Sequence, residues 1–348
     1  LSTTTFRARA PLRLGFGGGG TDVDPFARER GGHVLNATID RYAYATLIPA
    51  ETDRVTLRSL DYDEEVSYTL GENAPAGGRE LALARGVLHR LAADHLDDGF
   101  ETGFRLYTHT DCPPGSGLGA SSTVVVALIG VLDRWLGLGL DRYEIARLAF
   151  QIEREDLGFP GGKQDQYAAS FGGFNFMEFA SGGEGRALVN PLRVPTEQVS
   201  ELEYALVLAF TGQSRRSSDI ISDQSRNFEK KRARPVQAME RTKALATEMK
   251  RALLRGRFAA FGALLDEAWQ VKKQMSEKIT TPFIDEAYTA AREAGALGGK
   301  VSGAGGGGFM FFFADFDRRH AVEDALREHG AEVAHFGFTD AGLETWTR

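Results

Sequence analysis

The residues of this chain that could do chemistry stand at the edges of glycine clusters. In 110–128, TDCPPGSGLGASSTVVVAL, Pro113 and Pro114 stop a strand, and Gly115, Gly117 and Gly119 allow backbone angles that expose consecutive N–H groups. Ser121, Ser122 and Thr123 then open an apolar run. The first amides of such a helix have no partner within it and carry the positive end of its dipole, so phosphate is the natural ligand. A serine-capped glycine connection reads the same way. No Lys follows the last glycine as in a Walker A loop, so catalytic charge has to come from elsewhere.

Several side chains could supply that charge. Arg13 precedes FGGGGTD (16–22), and its forked donors suit phosphate or sugar oxygens, while Asp22 suits polyol hydroxyls or caps a turn. Glu153 follows the stripe Ile145, Leu148, Ala149 and Ile152 at its edge, directed either to solvent or toward the glycine loop. Asp165, in GGKQDQ near Lys163, is either the N-cap of 166–170 or a base. As a base it would take a hydroxyl proton while a neighbouring cation stabilises transferring phosphoryl oxygens. Ser214, Arg215, Arg216, Ser217 and Ser218 form a second phosphate clamp or a solvated cap.

Positioning these groups requires a mixed chain. Alternation and β-branched residues predict strands over 6–14, bounded by Pro11, over 33–49 as one or two strands, over 55–70 as a hairpin, and over 100–110. Helical spacing predicts helices over 81–95, from 121, after Asp141, over most of 227–276 and over 286–296. The basic run 230–234 reads as a solvated helix face. The loop before Phe309 is so rich in small residues that it reads as a second layer packed on the phosphate loop. A helix at 318–329 and a strand at 331–338 finish the chain, and a polar stretch at 191–203 divides it into domains 1–195 and 196–348.

Composition narrows the class. A net charge of −7 argues against nucleic-acid or anionic-membrane partners. The single Cys112 excludes an intrachain disulfide and a multi-Cys metal site. The start LSTTTFRARAPLRL lacks the apolar core of a signal peptide, and together these features favour the cytoplasm. The 41 glycines, against a usual share of about 7%, are clustered rather than periodic, which points to several places of close backbone approach to a ligand.

Three loops, PLRLGFGGGGTD (11–22), PPGSGLGASS (113–122) and KVSGAGGGGFM (300–310), occur in the order of the three signature motifs of the GHMP kinase superfamily, which includes galactokinase, homoserine kinase and mevalonate kinase. The chain resembles that superfamily over nearly its whole length. The resemblance implies an α+β two-domain fold, with an N-terminal domain like domain 2 of ribosomal protein S5, a ferredoxin-like C-terminal domain and the active site between them. It also implies that Pro114, Gly115, Ser116, Gly117, Leu118, Gly119, Ala120, Ser121 and Ser122 hold ATP. Ser121 and Glu153 would hold Mg²⁺. Ala120 and Ser122 exchange the usual residue types, so the metal ligand can slide to Ser122. Asp165 would be the catalytic base and Arg13 would stabilise phosphoryl charge, with Lys163 left without an assigned role. Gly18, Gly19, Thr21, Asp22, Gly303, Ala304 and Gly305 would bind the sugar, and Ser214 and Arg215 a phosphate already on it.

Within the superfamily, GGGGTDVDPF, GGHVLNATIDRYAY and FTGQSRRSSDII are most similar to the D-glycero-D-manno-heptose 7-phosphate kinase branch, with the fucokinase-like sugar kinases next. That branch implies ATP-dependent phosphorylation at C1 to the 1,7-bisphosphate, for nucleotide-activated heptose in surface polysaccharide. A fucokinase- or galactokinase-like hexose 1-kinase is the alternative. A non-catalytic sugar sensor is a third reading, against which Asp165, Glu153 and Ser121 speak. The partners implied are a sugar phosphate and ATP, with a homodimer left open.

Overall fold

The structure is a computed structural model that describes residues 4–72, 75, 77–182, 186–212 and 217–348. Its first half contains β1 (Phe6–Gly17), α1 (Phe26–Arg30), β2 (Gly32–Pro49), the hairpin β3 (Arg54–Ser59) and β4 (Glu64–Thr69), α2 (Arg79–His95) and β5 (Phe104–Thr110). It continues with α3 (Ala120–Leu136), α4 (Arg142–Gln151), a π turn over Ile152–Asp156, α5 (Gln164–Phe171), β6 (Phe174–Phe179) and β7 (Ala187–Pro191). The second half contains α6 (Thr196–Ala205), β8 (Leu206–Phe210), α7 (Ser217–Glu229), α8 (Ala233–Leu254), α9 (Phe258–Lys272) and α10 (Pro282–Glu293). It ends with β9 (Ala296–Val301), β10 (Phe309–Ala314), α11 (Arg319–Glu328), β11 (Glu332–Ala334) and β12 (Glu344–Thr347).

These elements form the two-sheet α+β arrangement that the motifs imply. The first sheet runs β12-β1-β2-β5-β3-β4, with β6 on β2 and β7 on β6. The second runs β11-β8-β10-β9, all antiparallel. Numbered in chain order this is 4-1-3-2 in a β-α-β-β-α-β chain, the ferredoxin-like pattern. The first sheet takes its strands from residues up to 191 and then from 344–347, so the chain crosses back after the second sheet is complete. Among the described residues no helix is long and apolar enough to cross a membrane.

An apolar core joins the two sheets. Leu12, Leu14 and Phe16 of β1 pack with Leu245 and Met249 of α8, Phe261 and Leu265 of α9, and Phe309, Phe311 and Phe313 of β10. The ring of Phe16 lies 5.4 Å from that of Phe261 and 5.8 Å from that of Phe311. Met310 and Phe312, on the other face of β10, pack with α10 and α11 in a second core, so this strand is buried on both sides.

The structure departs from the sequence reading in several places. Pro11 does not bound β1; the strand continues to Gly17 with irregular register between Pro11 and Arg13 and again between Gly15 and Gly17. A bulge accommodates a residue without an N–H, and β12 covers only Phe6 to Arg9 of this edge. Segment 33–49 is one strand that pairs with β6 at its start and β5 at its end. The basic run 230–234 is not one helix face: residues 230–232 make the turn between α7 and α8, with Lys231 at φ 50°, and only 233 and 234 begin α8. The final strand is shorter than predicted, and β12 was not anticipated.

Gly18 shows how tightly the first glycine loop is seated. It has φ 84°, and a Cβ there would lie 1.7 Å from the carbonyl oxygen of His33 in β2. Gly18→Ala is therefore expected to lower stability by at least about 2 kcal/mol through left-handed strain plus overpacking. Urea unfolding checks this, and an unchanged midpoint would contradict the seating.

Candidate active site

The three glycine loops meet along one wall of a cleft of about 350 Å³. The second loop leads into α3 through Gly119, which occupies the N-cap position at φ 84°, and no side chain among the described residues caps the helix. Its first amides are thus left for a ligand. The third loop packs directly on this one. The Phe309 N–H donates to Ser116 O at 2.8 Å, and a Cβ on Gly117 would lie 2.7 Å from Ser302 O. Only glycine tolerates both that approach and the φ of 76°.

Arg13 enters the cleft from β1, whose edge past the first bulge bonds the loop: the Arg13 N–H donates to Leu118 O at 3.1 Å. The guanidinium is 4% exposed; its Nε donates to Asp165 Oδ1 at 2.7 Å and its Nη1 to Gly117 O at 2.8 Å and Ser302 Oγ at 3.1 Å. Asp165 lies in the first turn of α5 and is not its cap. It stands against the phosphate loop, since a Cβ on Gly119 would be 3.0 Å from Asp165 Cγ.

The cap of α5 comes from Asp22, 141 residues from Lys163. Asp22 Oδ2 accepts from the N–H groups of Lys163 and Gln164 at 2.9 and 3.0 Å, and Oδ1 accepts from the Gly20 N–H at 3.0 Å. Asp22 still lines the cleft, as do Gly19, Gly20 and Gln164. Thr21 and Gly18 do not: the Thr21 hydroxyl donates to Gly18 O and His33 O at 2.8 and 3.0 Å and accepts from the His33 N–H at 3.2 Å. Thr21 therefore locks the loop onto β2. Lys163 lies outside the cleft, with its Nζ 3.7 Å from Asp24 Oδ1.

Glu153 lies in the π turn after α4, where the Leu157 N–H donates to Ile152 O at 3.0 Å. Its side chain is 1% exposed. Oε2 accepts from Gln166 Nε2 at 2.5 Å, and Oε1 has no hydrogen-bond partner among the described residues, with Arg154 Nη1 at 3.5 Å. The same Gln166 amide donates to Ser122 Oγ at 3.1 Å. Ser122 thus shares a donor with Glu153, whereas Ser121 lines the cleft with no hydrogen bond to its hydroxyl among the described residues. An orphaned buried carboxylate oxygen beside a hydroxyl fits a hard cation. Mg²⁺ usually takes one or two carboxylates and completes its shell with water and phosphate.

Of the remaining expected residues, Pro114, Gly115, Ser116, Ala120, Gly303 and Ala304 line the cleft. Leu118 is in the apolar core, and a Cβ on Gly305 would meet Ile279 O at 2.6 Å, so that glycine serves packing. Ser214 and Arg215 lie outside the described residues. The cleft also gathers residues without a motif: Tyr62, Arg79, Glu80, Gln224 and Lys272. Burial pushes the Glu80 carboxyl up to about 7 against the opposing effect of Arg79. No local sequence pattern marks Tyr62, Arg79 or Glu80.

Comparison with known proteins gives this geometry its context. The model of the GHMP kinases N terminal domain matches residues 82–173, and that of the GHMP kinases C terminal matches residues 249–332. The chain is 42% identical to D-glycero-alpha-D-manno-heptose 7-phosphate kinase of Campylobacter jejuni, over 98% of this chain and 99% of that one. It is 27% identical to L-fucokinase/L-fucose-1-P guanylyltransferase of Bacteroides fragilis, over 88% of this chain and 34% of that longer protein. The crystal structure of a D-glycero-D-manno-heptose 1-phosphate kinase from Bacteroides thetaiotaomicron superimposes with TM-score 0.81 at 38% identity, covering 98% of both chains.

Thr21→Val keeps the shape but leaves three backbone groups without their hydroxyl partner. A stability loss of about 1–3 kcal/mol is expected in urea unfolding, with KM for the sugar little changed at a temperature where the variant is folded. A raised KM with unaltered stability would return Thr21 to the substrate.

Proposed function

The chain belongs to the GHMP kinases, and on that premise we propose that it transfers the γ-phosphoryl group of ATP to the anomeric hydroxyl of D-glycero-D-manno-heptose 7-phosphate, giving the 1,7-bisphosphate. The observation that carries this reading is the Arg13–Asp165 pair, held at 2.7 Å against a helix N-terminus with no side-chain cap. The identity of substrate follows the 42% similarity that runs the full length of a heptose 7-phosphate kinase.

Each step uses a group already placed. ATP lies with its phosphates on the amides of 115–122, which offer donors and the positive end of the α3 dipole. Asp165 takes the proton of the C1 hydroxyl as its oxygen bonds to the γ-phosphorus, and the β–γ bridging oxygen leaves on ADP with the bonding pair. Arg13 keeps that carboxylate aimed, and its Nη2, which has no partner among the described residues, is available to the phosphoryl oxygens. Mg²⁺, when bound, would screen charge between the phosphates. The residues to hold it are Glu153, through its orphaned Oε1, and Ser122, tied to Glu153 by Gln166, with Ser121 facing the phosphates. Gly19, Gly20, Asp22, Gln164, Gly303 and Ala304 surround the place left for the sugar.

ADP release with Mg·ATP across heptose 7-phosphate, unphosphorylated mannoheptose, fucose, galactose and mannose, with phosphorus NMR of the product, tests the substrate. Turnover confined to the heptose 7-phosphate with a new anomeric phosphate is expected. Preference for fucose would move the chain toward its fucokinase relative. Asp165→Asn is expected to lower kcat by about 10² to 10⁴ while Mg·ADP affinity is nearly unchanged. Near wild-type turnover would remove Asp165 from the mechanism.

A further inference from the structure

Lys272 reaches the cleft from the second domain, and no motif accounts for it. It is the last residue of α9 and continues the stripe of Phe261, Leu265, Ala268 and Trp269, so the fold buries an ammonium where an apolar residue would pack. The residue is 4% exposed. Its Nζ donates to the carbonyl of Gly303, its one hydrogen-bond acceptor among the described residues. Gly303 is in the third glycine loop, where a Cβ would lie 2.6 Å from Gly117 O.

Nearby carboxylates do not complete this cation. Asp22 accepts from three backbone N–H groups, and Asp165 Oδ1 accepts from Arg13. An ammonium has three donors, so two are left without an acceptor among the described residues, in a side chain that lines the cleft beside Arg13, Asp165 and the phosphate loop. Burial, and then the positive Arg13, lower its pKa to about 8 against the opposing pull of Asp22 and Asp165. Such a group is costly unless an anion meets it.

We propose that Lys272 contacts the transferred phosphoryl group of ATP, meeting from the second domain the charge that Arg13 meets from the first. The inference rests on the kinase reading above. The phosphate already on the sugar is the other anion that could reach an ammonium. The position of Lys272 favours the transferred group, because its neighbours are the proposed base and the loop packed on Gly117, whereas C7 is at the far end of the sugar from the reacting C1 hydroxyl.

Lys272→Met and Lys272→Arg test it in the full-length enzyme. Lys272→Met is expected to lower kcat by about 10²-fold or more with KM for the heptose 7-phosphate within about threefold of wild type, and Lys272→Arg to recover part of the loss. Affinity for Mg·ADP with aluminium fluoride, a phosphoryl mimic, should fall about tenfold or more in Lys272→Met while that for Mg·ADP alone stays nearly unchanged. This binding arm needs no sugar, so an error in the acceptor leaves it readable.

The pH profile gives a third readout. The charged groups around Lys272 are Arg13 on β1, Asp22 on the first glycine loop, Asp165 on α5 and Lys300 on β9. Wild-type kcat/KM should fall above about pH 8 as the ammonium loses its proton, and this limb should move upward in Lys272→Arg. Wild-type affinity for the aluminium fluoride complex in Lys272→Met would overturn the proposal, as would a loss confined to KM for the sugar phosphate. If Lys272→Met does not fold, an unmoved alkaline limb in Lys272→Arg would overturn it equally.

Discussion

The cleft depends on how one buried arginine distributes its donors. Arg13 spends Nε on Asp165 and Nη1 on Gly117 O and Ser302 Oγ, so a single side chain of β1 fixes the proposed base, the phosphate loop and the third loop in one frame. Hydrogen bonds from a charged donor contribute about 1.5–3 kcal/mol each, and a buried arginine whose partners were removed would be strongly unfavourable. The aim of the proposed base and local stability are thus set by the same contacts. Arg13 can reach all three because β12 ends at the level of Arg9, leaving the next stretch of the β1 edge free to take the second loop as its neighbour.

That frame would mean little if the two sheets moved independently. The residues brought together lie far apart in sequence, and they hold their spacing because the core that joins the two sheets is apolar and continuous. Phe16 is two residues beyond Leu14 on β1 and meets Phe261 of α9 and Phe311 of β10. One turn up α9 from the packing of Ala268 and Trp269 stands Lys272, and directly before β10 stands Gly308, which presses on Gly115 and Ser116. Burial of these rings excludes water from beneath the site, which strengthens the electrostatic contacts above it.

What was legible in the sequence was what has a local signature. The glycine loops could be found because positive φ and close backbone approach admit few other residues, and their order made Arg13 and Asp165 candidates together. Thr21 and Asp22 were found as polar residues at a loop exit, but their partners, on β2 and at the start of α5, are set by tertiary contact and leave no trace nearby. Pro11 misled because a bulge removes the need for its N–H. β12 is four residues long and takes its identity from pairing with β1. Lys272 had a signal of another kind: among the charges of 227–276 it is the lysine that falls on the apolar stripe, while Lys273 faces Asp285. Reading that helix for exceptions to its amphipathic pattern would have singled it out.

Four carboxylates line this cleft, Glu80 among them, and what Asp22, Glu153 and Asp165 each have left unsatisfied separates the roles open to those three. Asp22 receives three backbone N–H groups and has little capacity for chemistry; its charge is absorbed by the loop and by the start of α5. Glu153 has one oxygen held by Gln166 and the other with no hydrogen bond among the described residues and only Arg154 Nη1 at 3.5 Å, in a site too buried for water to solvate freely, which is a setting that favours a cation. Asp165 has Oδ1 fixed by Arg13 and Oδ2 without a hydrogen bond among the described residues, in a side chain 22% exposed at the mouth of the phosphate loop. A carboxylate oriented through one oxygen and open at the other can accept a proton without losing its aim. Residue type alone would have made these three interchangeable; the number of donors each already receives makes Asp22 a cap and suits Glu153 to the proposed metal and Asp165 to the proposed base.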